Sequence, residues 1–265
     1  MMNLFNKKKK REPVQTLIGE GIDYNIYTPS KKEKIIWFFL GMIVSGAVLY
    51  IFYESIIASI VVGAVCGYFF IPIRTNQVIK KRQKRLTTQF RGLLDALSTS
   101  IGAGKNMFDS FTGAAEDLAV QFSADADIVK EVNLIRIGLD NNIQIEDLLL
   151  NFAERSGVED VRNFANVFAT CYKKGGNIKD VIKNTASIIG DKIEIQMELE
   201  TMVSGQKNEQ NIMLVMPVVF IVVLKSMGGD LIDLESPIGI ISVTIALGIF
   251  VLAYFISKKI LNIKL

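Results

Sequence analysis

Four apolar runs without charged residues alternate with polar stretches along the chain. Residues 35–53 and 55–73 are each long enough to cross about 30 Å of hydrocarbon at about 1.5 Å per residue, and only Glu54 separates them. Residues 238–256 form another clear run, whereas 212–224 contributes only 13 uncharged residues. The shorter run still crosses the membrane if the polar residues at its ends lie in the membrane–water interface. The pattern therefore predicts four transmembrane helices in two pairs.

Most of the basic residues near these runs lie on one predicted side of the membrane. They precede the first run, follow the second and follow the fourth: Lys7–Arg11, Lys31, Lys32, Lys34, Arg74, Lys80, Lys81, Arg82, Lys84, Arg85, Arg91, Lys258, Lys259 and Lys264. By the positive-inside rule these regions are cytoplasmic, so we expect a multi-pass protein with both termini in the cytoplasm. The external segments are then the turn at Glu54 and a short loop with Asp230, Asp233 and Glu235. Only an even number of spans keeps all the basic regions on one side.

Between residues 86 and 203 the apolar positions recur at helical spacing in short blocks. The blocks begin at Leu86, Met107, Ile128, Ile145, Val161 and Ile178. Because each block hides one face, the pattern predicts a compact bundle of about six short helices. The stretch after Gly190 is acidic and amphipathic and leads into the third run, so we predict a connecting helix there.

The predicted fold class is therefore an all-α membrane protein. It has four transmembrane helices in two pairs flanking one cytoplasmic bundle of about six helices. The predicted domains are a cytoplasmic N-terminal tail at 1–34, a transmembrane hairpin at 35–73, a cytoplasmic helical domain with its connecting helix at 74–211, a second transmembrane pair at 212–256 and a cytoplasmic C-terminal tail at 257–265.

Three turns inside the polar region share one pattern. Each has a residue that tolerates left-handed backbone angles, then a side-chain amide at the N-cap position, then an Asp three positions later. The three sets are Gly104, Asn106 and Asp109; Asn142, Gln144 and Asp147; and Gly175–Gly176, Asn177 and Asp180. The pattern predicts that a helix ends and the next begins at each turn, with Gln144 as the weakest cap.

Charge is segregated along the chain although the net charge is only +3. Residues 74–91 contain seven Lys or Arg and no acidic residue, whereas 92–211 contain eleven basic and nineteen acidic residues. The first stretch is typical of a collar at lipid headgroups. Nucleic-acid binding is disfavoured, because the basic stretch adjoins a membrane span and lacks interleaved aromatics. The acidic body favours a protein partner with a basic surface.

The chemistry of the chain argues against catalysis. It contains no His and only two Cys, so catalytic triads and His-dependent zinc or haem sites are excluded. Cys66 lies in the second apolar run and Cys171 on an apolar stripe, which is typical of reduced core thiols. We predict no catalytic site, no cofactor and no metal site.

Three segments resemble the type II secretion F-domain family, the polytopic platform proteins of type IV pilus and secretion machines. They are Gln89-Phe90-x-x-Leu93-Leu94-Asp95-Ala96-Leu97, the turn at Ala103–Asn106, and Tyr172–Ile178. The order of two spans, one helical domain and two spans is similar to the tight-adherence B/C branch. The middle turn departs from the family, because Asn142 and Gln144 stand where Gly and a small residue are usual.

The resemblance implies a non-enzymatic platform in the cytoplasmic (inner) membrane. Such proteins contact a hexameric secretion ATPase, pilin subunits and usually a paralogous platform subunit, within homo- or hetero-oligomers. They bind no nucleotide, and this chain has no Gly-x-x-x-x-Gly-Lys-Ser/Thr loop. The candidate partner-binding residues are Lys173, Lys174, Gly175, Gly176, Asn177, Glu194 and Glu198. Helix punctuation is the favoured explanation of the turn, and a solvated helix face is the favoured explanation of the two carboxylates.

A small membrane transporter or channel with a cytoplasmic helical domain is the alternative function. Transport paths usually place ionisable residues inside spans, and the four runs have none in their interiors. The Gly63-x-x-x-Gly67 pair either packs the first two spans together or pairs two protomers. Packing within one chain is the simpler interpretation.

Overall fold

The computed structural model describes residues 13–227 and 236–261. Within these ranges the chain forms helices and no strand, which confirms the predicted all-α class for the described residues. The helices are α1 (Lys31–Tyr53), α2 (Ile56–Gly102), α3 (Met107–Phe122), α4 (Asp127–Asp140), α5 (Ile145–Ser156), α6 (Glu159–Lys173), α7 (Ile178–Met202), α8 (Ser204–Ser226) and α9 (Pro237–Leu261). The loop with Asp230, Asp233 and Glu235 and the terminal residues Lys7–Arg11 and Lys264 lie outside the described residues.

The chain divides into two compact units. One contains Asn76–Glu194 together with the described residues up to Thr28, and the other contains Pro29–Thr75 and the described residues from Ile195 onward. Both α2 and α7 contribute residues to each unit. Helix α2 continues from the second apolar run into the bundle because residues 74–91 contain no glycine or proline to interrupt it.

The first unit is a bundle of six helical segments, as the periodicity predicts. They are the second part of α2, then α3, α4, α5 and α6, and the first part of α7. One face of every segment enters a shared apolar core, whose largest fully buried side chains include Phe90, Phe111, Phe152, Phe164 and Phe168. The stretch after Gly190 that is predicted as one connecting helix is divided between two helices: it begins in the C-terminal part of α7, Val203 separates α7 from α8, and it ends in the first part of α8.

The three predicted turns have the same backbone geometry. Gly104, Asn142 and Gly175 all have positive φ, at 84°, 60° and 71°. In each turn the next amide donates a hydrogen bond to the carbonyl five residues earlier, from Lys105 to Ser100, Ile143 to Gly138 and Gly176 to Cys171. This is the Schellman arrangement that satisfies the last carbonyls of a helix. The prediction that Gln144 is the weakest cap is also confirmed, since its side chain makes no capping bond.

Four helices of the described residues are long and apolar enough to cross a membrane: Lys31–Tyr53, Ile56–Gly102, Ser204–Leu224 and Gly239–Ser257. The short third run is therefore a candidate span, as predicted. Glu54 closes α1 in the left-handed conformation, at φ 52°, which makes the predicted tight turn into α2.

Glycines bring α1 and α2 into close contact. A Cβ atom at Gly67 would lie 2.7 Å from the carbonyl oxygen of Phe38, and one at Gly63 would lie 3.1 Å from the carbonyl oxygen of Met42. A Cβ at Gly41 would lie 3.1 Å from the Cα of Gly67. The Gly-x-x-x-Gly pair therefore faces α1 of the same chain, which confirms the simpler of the two interpretations.

Candidate functional site

The predicted partner-binding turn lies on the surface of the bundle. Residues 173–177 are all exposed, between the end of α6 and the start of α7. Gly175 has open space around it, since a Cβ atom there would meet nothing within 4 Å. The left-handed backbone, and not close packing, is therefore the reason for glycine at this position.

The bundle brings this turn next to the first turn, which is about 70 residues away in sequence. A Cβ at Gly102 would lie 3.5 Å from Cε of Lys179, so the end of α2 adjoins the start of α7. We call residues 102–106 together with 173–179 the turn face. The turn at Asn142 does not belong to the turn face.

Matched caps shape the two halves of the turn face. The amide of Asp109 donates to Oδ1 of Asn106 at 2.8 Å, and Nδ2 of Asn106 donates to the Asp109 carboxylate at 2.8 Å. Asn177 and Asp180 make the same pair of contacts, at 3.4 and 2.6 Å. Each aspartate is thus engaged by its own helix start, where the helix dipole also favours a negative charge.

The turn face has a charge opposite to that of the surrounding domain. Four exposed lysines lie on it, Lys105, Lys173, Lys174 and Lys179. Asp109 and Asp180 are exposed beside this face, but each carboxylate accepts a hydrogen bond from its capping asparagine. The lysines therefore favour a partner with acidic side chains here, although residues 92–211 are acidic on average.

The other two predicted site residues lie elsewhere. Glu194 and Glu198 are exposed on α7, one helical turn apart. Glu194 is 16 residues after the start of α7, which corresponds to about 24 Å along the helix axis. The fold therefore does not bring these carboxylates together with the turn.

A buried ion pair that the sequence analysis missed lies in the same unit. Arg155 of α5 and Glu131 of α4 are 2% and 1% exposed, and both guanidinium nitrogens Nη1 and Nη2 donate to the carboxylate, at 2.8 and 2.5 Å. Nε of Arg155 donates to Oδ1 of Asn151 at 2.8 Å. The two charges are thus paired in a bidentate geometry, which offsets part of the cost of burying them.

Tyr24 of the N-terminal segment reaches the same ion pair. Its side chain is 1% exposed, its hydroxyl donates to Oε1 of Glu131 at 3.0 Å, and the Arg82 guanidinium lies 5.0 Å from its ring centroid. Burial, together with the negative charges of Glu131 and Asp127, raises the pKa of the Tyr24 hydroxyl well above its ordinary value. Tyr24 therefore remains a hydrogen-bond donor at physiological pH.

Asp127 at the start of α4 completes the group. Arg82 and Arg85 of α2 donate to its carboxylate at 3.2 and 2.9 Å. Burial opposes ionisation of Asp127, but the hydrogen bonds from the two arginines outweigh it and lower the pKa of Asp127. We call Tyr24, Arg82, Arg85, Asp127, Glu131 and Arg155 the Tyr24 network.

The lowered pKa of Asp127 predicts a loss of stability in acid. The unfolded chain binds a proton near the ordinary pKa of 3.8, whereas the folded chain resists protonation until lower pH. Asp127 therefore stabilises the fold above its unfolded pKa, and this contribution is lost as pH falls through the folded pKa. We expect the wild type to lose more stability than Asp127→Asn between about pH 5 and pH 2 in thermal melts followed by circular dichroism. Equal losses in the two proteins would contradict this role.

A signal for the ion pair was present in the sequence. Glu131 lies three residues after Ile128 and four before Ile135, which places it on the apolar face of α4. Arg155 lies three residues after Phe152 on the apolar face of α5 in the same way. Opposite charges on two apolar stripes indicate a buried pair. Tyr24 gave no such signal, because its partner is 107 residues away in the chain.

The network lies near the beginning of the part of α2 that belongs to the bundle, and the turn face lies at the C-terminal end of the helix. Gly102 is 20 residues after Arg82, a separation of about 30 Å along the helix. No cluster of His, Cys, Asp or Glu among the described residues could hold a metal ion. The charged groups of the network are paired with one another in the interior, whereas the turn face presents its lysines to solvent.

The fold defines the general class of the protein. Its long apolar helices indicate a membrane-embedded helical protein, with a separate compact helical bundle built on a polar stretch of the chain. No family model, curated protein or solved structure matches the chain.

Proposed function

We propose that the protein is a platform of a type IV (Tad/Flp-like) pilus or type II secretion-like machine in the cytoplasmic membrane. In this role it couples a hexameric secretion ATPase to the assembly of pilin subunits, beside a paralogous platform subunit. The helical bundle binds the ATPase, which is the motor of the machine. The apolar helices anchor the protein in the membrane with both termini in the cytoplasm. The protein itself catalyses no reaction.

The observation that carries this proposal is the convergence of two of the segments that resemble the F-domain family. Ala103–Asn106 and Tyr172–Ile178 are far apart in the sequence, yet the residues that adjoin them lie close together: a Cβ at Gly102 would lie 3.5 Å from Cε of Lys179. Both segments are largely exposed, although Tyr172 stacks on Phe168 and Ile178 packs against the core. Helix punctuation accounts for the glycines and the caps, and the exposed residues that the two turns contribute to one surface support a docking role in addition.

The third resembling segment has a different role. Phe90, Leu93, Leu94 and Leu97 are at most 1% exposed and form part of the bundle core. They explain how the bundle folds but do not contact a partner. The docking role of the bundle therefore rests on the turn face.

Deletion of the gene that encodes this chain tests the proposed role in cells. A platform is needed for filament growth but not for pilin synthesis, so we expect the deletion strain to lack surface filaments while unassembled pilin accumulates in the membrane fraction. Electron microscopy and immunoblotting of fractions measure the two quantities. Normal filaments in this strain would contradict the platform role.

Charge reversal on the turn face tests where the motor docks. We expect Lys173→Glu combined with Lys179→Glu to weaken binding of the secretion ATPase about tenfold or more, since each reversal replaces attraction to an acidic partner by repulsion. Binding is measured by surface plasmon resonance with the full chain in lipid nanodiscs, at two salt concentrations. The loss should be larger at low salt, because screening weakens contacts between exposed charges.

Arg162→Glu is the control for this reversal and is compared with Lys173→Glu alone, so that both variants change the net charge by the same amount. Arg162 is also exposed on α6, but it lies 11 residues before Lys173, about 16 Å away along the helix. We expect the control to retain ATPase binding within about twofold. Equal weakening by both reversals would mean that the overall charge of the domain, and not the turn face, governs binding.

A further inference from the structure

We propose that the N-terminal segment 14–28 is a detachable clasp, which docks on the bundle through Tyr24 and opens without unfolding the bundle. When docked, the clasp ties the beginning of α1 to the bundle. This inference does not depend on the proposed platform role.

One fully buried side chain and the partly buried Ile22 attach the clasp to the core of the bundle. Tyr24 is the only buried residue between Val14 and Thr28, and Leu17 is 50% exposed. By contrast, the bundle shares one large apolar core among all its helices. Because the free energy of local opening increases with the apolar contacts that are broken, the clasp should open far more easily than the helices.

Apart from the apolar contact of Ile22, the remaining contacts of the clasp are mainly hydrogen bonds that water can replace. The Tyr24 amide donates to the carbonyl of Arg155 at 2.8 Å, and Nδ2 of Asn25 donates to the carbonyls of Glu154 and Arg155 at 2.9 and 3.2 Å. Asn151 donates to the carbonyl of Gln15 at 2.9 Å. These bonds give the clasp a defined register on the end of α5. Each contributes only about 1 kcal/mol net, because the open state is hydrated.

The binding surface for the clasp keeps its charges paired when the clasp leaves. Glu131 retains both hydrogen bonds from Arg155, and Arg155 retains its bond to Asn151. Asp127 retains Arg82 and Arg85. Opening therefore leaves no buried charge without a counter-charge, which would otherwise be the largest cost of opening. This is the feature that distinguishes a detachable segment from an integral part of the core.

The docked clasp limits how far the beginning of α1 can move from Tyr24. Helix α1 begins at Lys31, seven residues after Tyr24, and an extended chain of that length spans at most about 25 Å. Release of Tyr24 removes this limit, and α2 and α7 then remain as the covalent connections between the two units.

Hydrogen exchange of the full chain in lipid nanodiscs tests the proposal. In the wild type we expect the Tyr24 and Asn25 amides to be protected, but at least about 100-fold less than the amides of α5 around Phe152. Equal protection of the segment and of α5 would mean that both open only on global unfolding, which would overturn the proposal. Exchange at the rate of an unstructured peptide in the wild type would mean that the clasp is not docked, and would also overturn it.

Two variants separate the contributions of Tyr24. Tyr24→Ala should bring exchange of 14–25 to within about tenfold of the unstructured rate while α4 and α5 stay protected. Tyr24→Phe keeps the ring beneath Arg82 and loses only the hydroxyl, so its protection should be intermediate. Loss of protection in α4 and α5 of Tyr24→Ala would show that the segment belongs to the core and is not detachable.

Crosslinking tests whether the clasp docks on its own chain. Nε2 of Gln83 lies 3.4 Å from Oδ1 of Asn25, so Cys at these two positions should be joined by a short bismaleimide once Cys66 and Cys171 are replaced by Ala. We expect a crosslinked monomer on a denaturing gel. A crosslinked dimer would mean that the segment docks on a neighbouring copy, which would overturn the intramolecular clasp.

Discussion

Arg155→Met is expected to lower the free energy of unfolding of the helical bundle by about 3–5 kcal/mol. The substitution leaves Glu131, which is 1% exposed, without its bidentate partner in the interior. The cost arises from a buried carboxylate without a counter-charge, and not from the modest net strength of the ion pair itself. Since whole domains are stable by only about 5–15 kcal/mol, this is the largest single-site effect we expect in the bundle. Hydrogen exchange of the α4 and α5 amides of the full chain measures it.

Two controls separate burial of charge from loss of an ion pair. Combining Arg155→Met with Glu131→Leu removes both charges, so we expect it to recover most of the lost stability. Lys192→Met breaks the pair with Asp160, whose 3.0 Å contact is partly exposed, and should cost less than about 1 kcal/mol. A double variant that is no more stable than Arg155→Met would show that the packing of Arg155, and not its charge, stabilises the bundle.

Gly67→Ala is expected to destabilise the packing of α1 against α2 by about 1–3 kcal/mol. The added Cβ would lie 2.7 Å from the carbonyl oxygen of Phe38, which belongs to the helix backbone and cannot rotate away. The two helices must therefore separate, with loss of the close contacts that small residues allow in lipid. Trp37, the single tryptophan of the chain, precedes Phe38 and reports on this region. Its fluorescence during a titration of bicelle-embedded protein with dodecyl sulfate measures the effect.

Gly248→Ala is the matched control in α9. A Cβ at Gly248 meets nothing within 4 Å, so the same chemical change should leave the titration midpoint nearly unchanged. Gly67→Leu should shift the midpoint further than Gly67→Ala because it adds more volume at the same contact. If Gly67→Ala and Gly248→Ala shift the midpoint equally, close approach of α1 and α2 does not stabilise the hairpin.

Much of the fold was accessible from the sequence because its signals are local. Helical periodicity of the apolar residues predicted the six segments of the bundle, and uncharged runs predicted the four candidate spans. The three turns were predicted at residue level, because a left-handed backbone favours Gly or Asn and a helix start favours a capping side chain. These properties depend on neighbours within a few positions of the chain.

The site was only partly accessible. The turn at 173–177 was predicted as a candidate partner-binding surface. Its proximity to residues 102–106 could not be predicted, because it depends on how α2 and α7 pack. Glu194 and Glu198 were grouped with the turn on charge and spacing, although α7 separates them from it. The charges of Glu131 and Arg155 stood on apolar stripes, so they could have been predicted as a buried pair from their positions.

The sequence by itself determined which residues are helical, where the helices end, and which segments can enter a membrane. The tertiary structure decided that two distant turns form one surface and that Tyr24 docks against Glu131, 107 residues away. It also decided that Gly67 faces Phe38 of the same hairpin. The physical reason is that backbone conformation and hydrophobic periodicity act over a few residues, whereas these contacts depend on which helix faces pack together. That choice depends on the complementarity of whole surfaces, which no short stretch of the chain encodes.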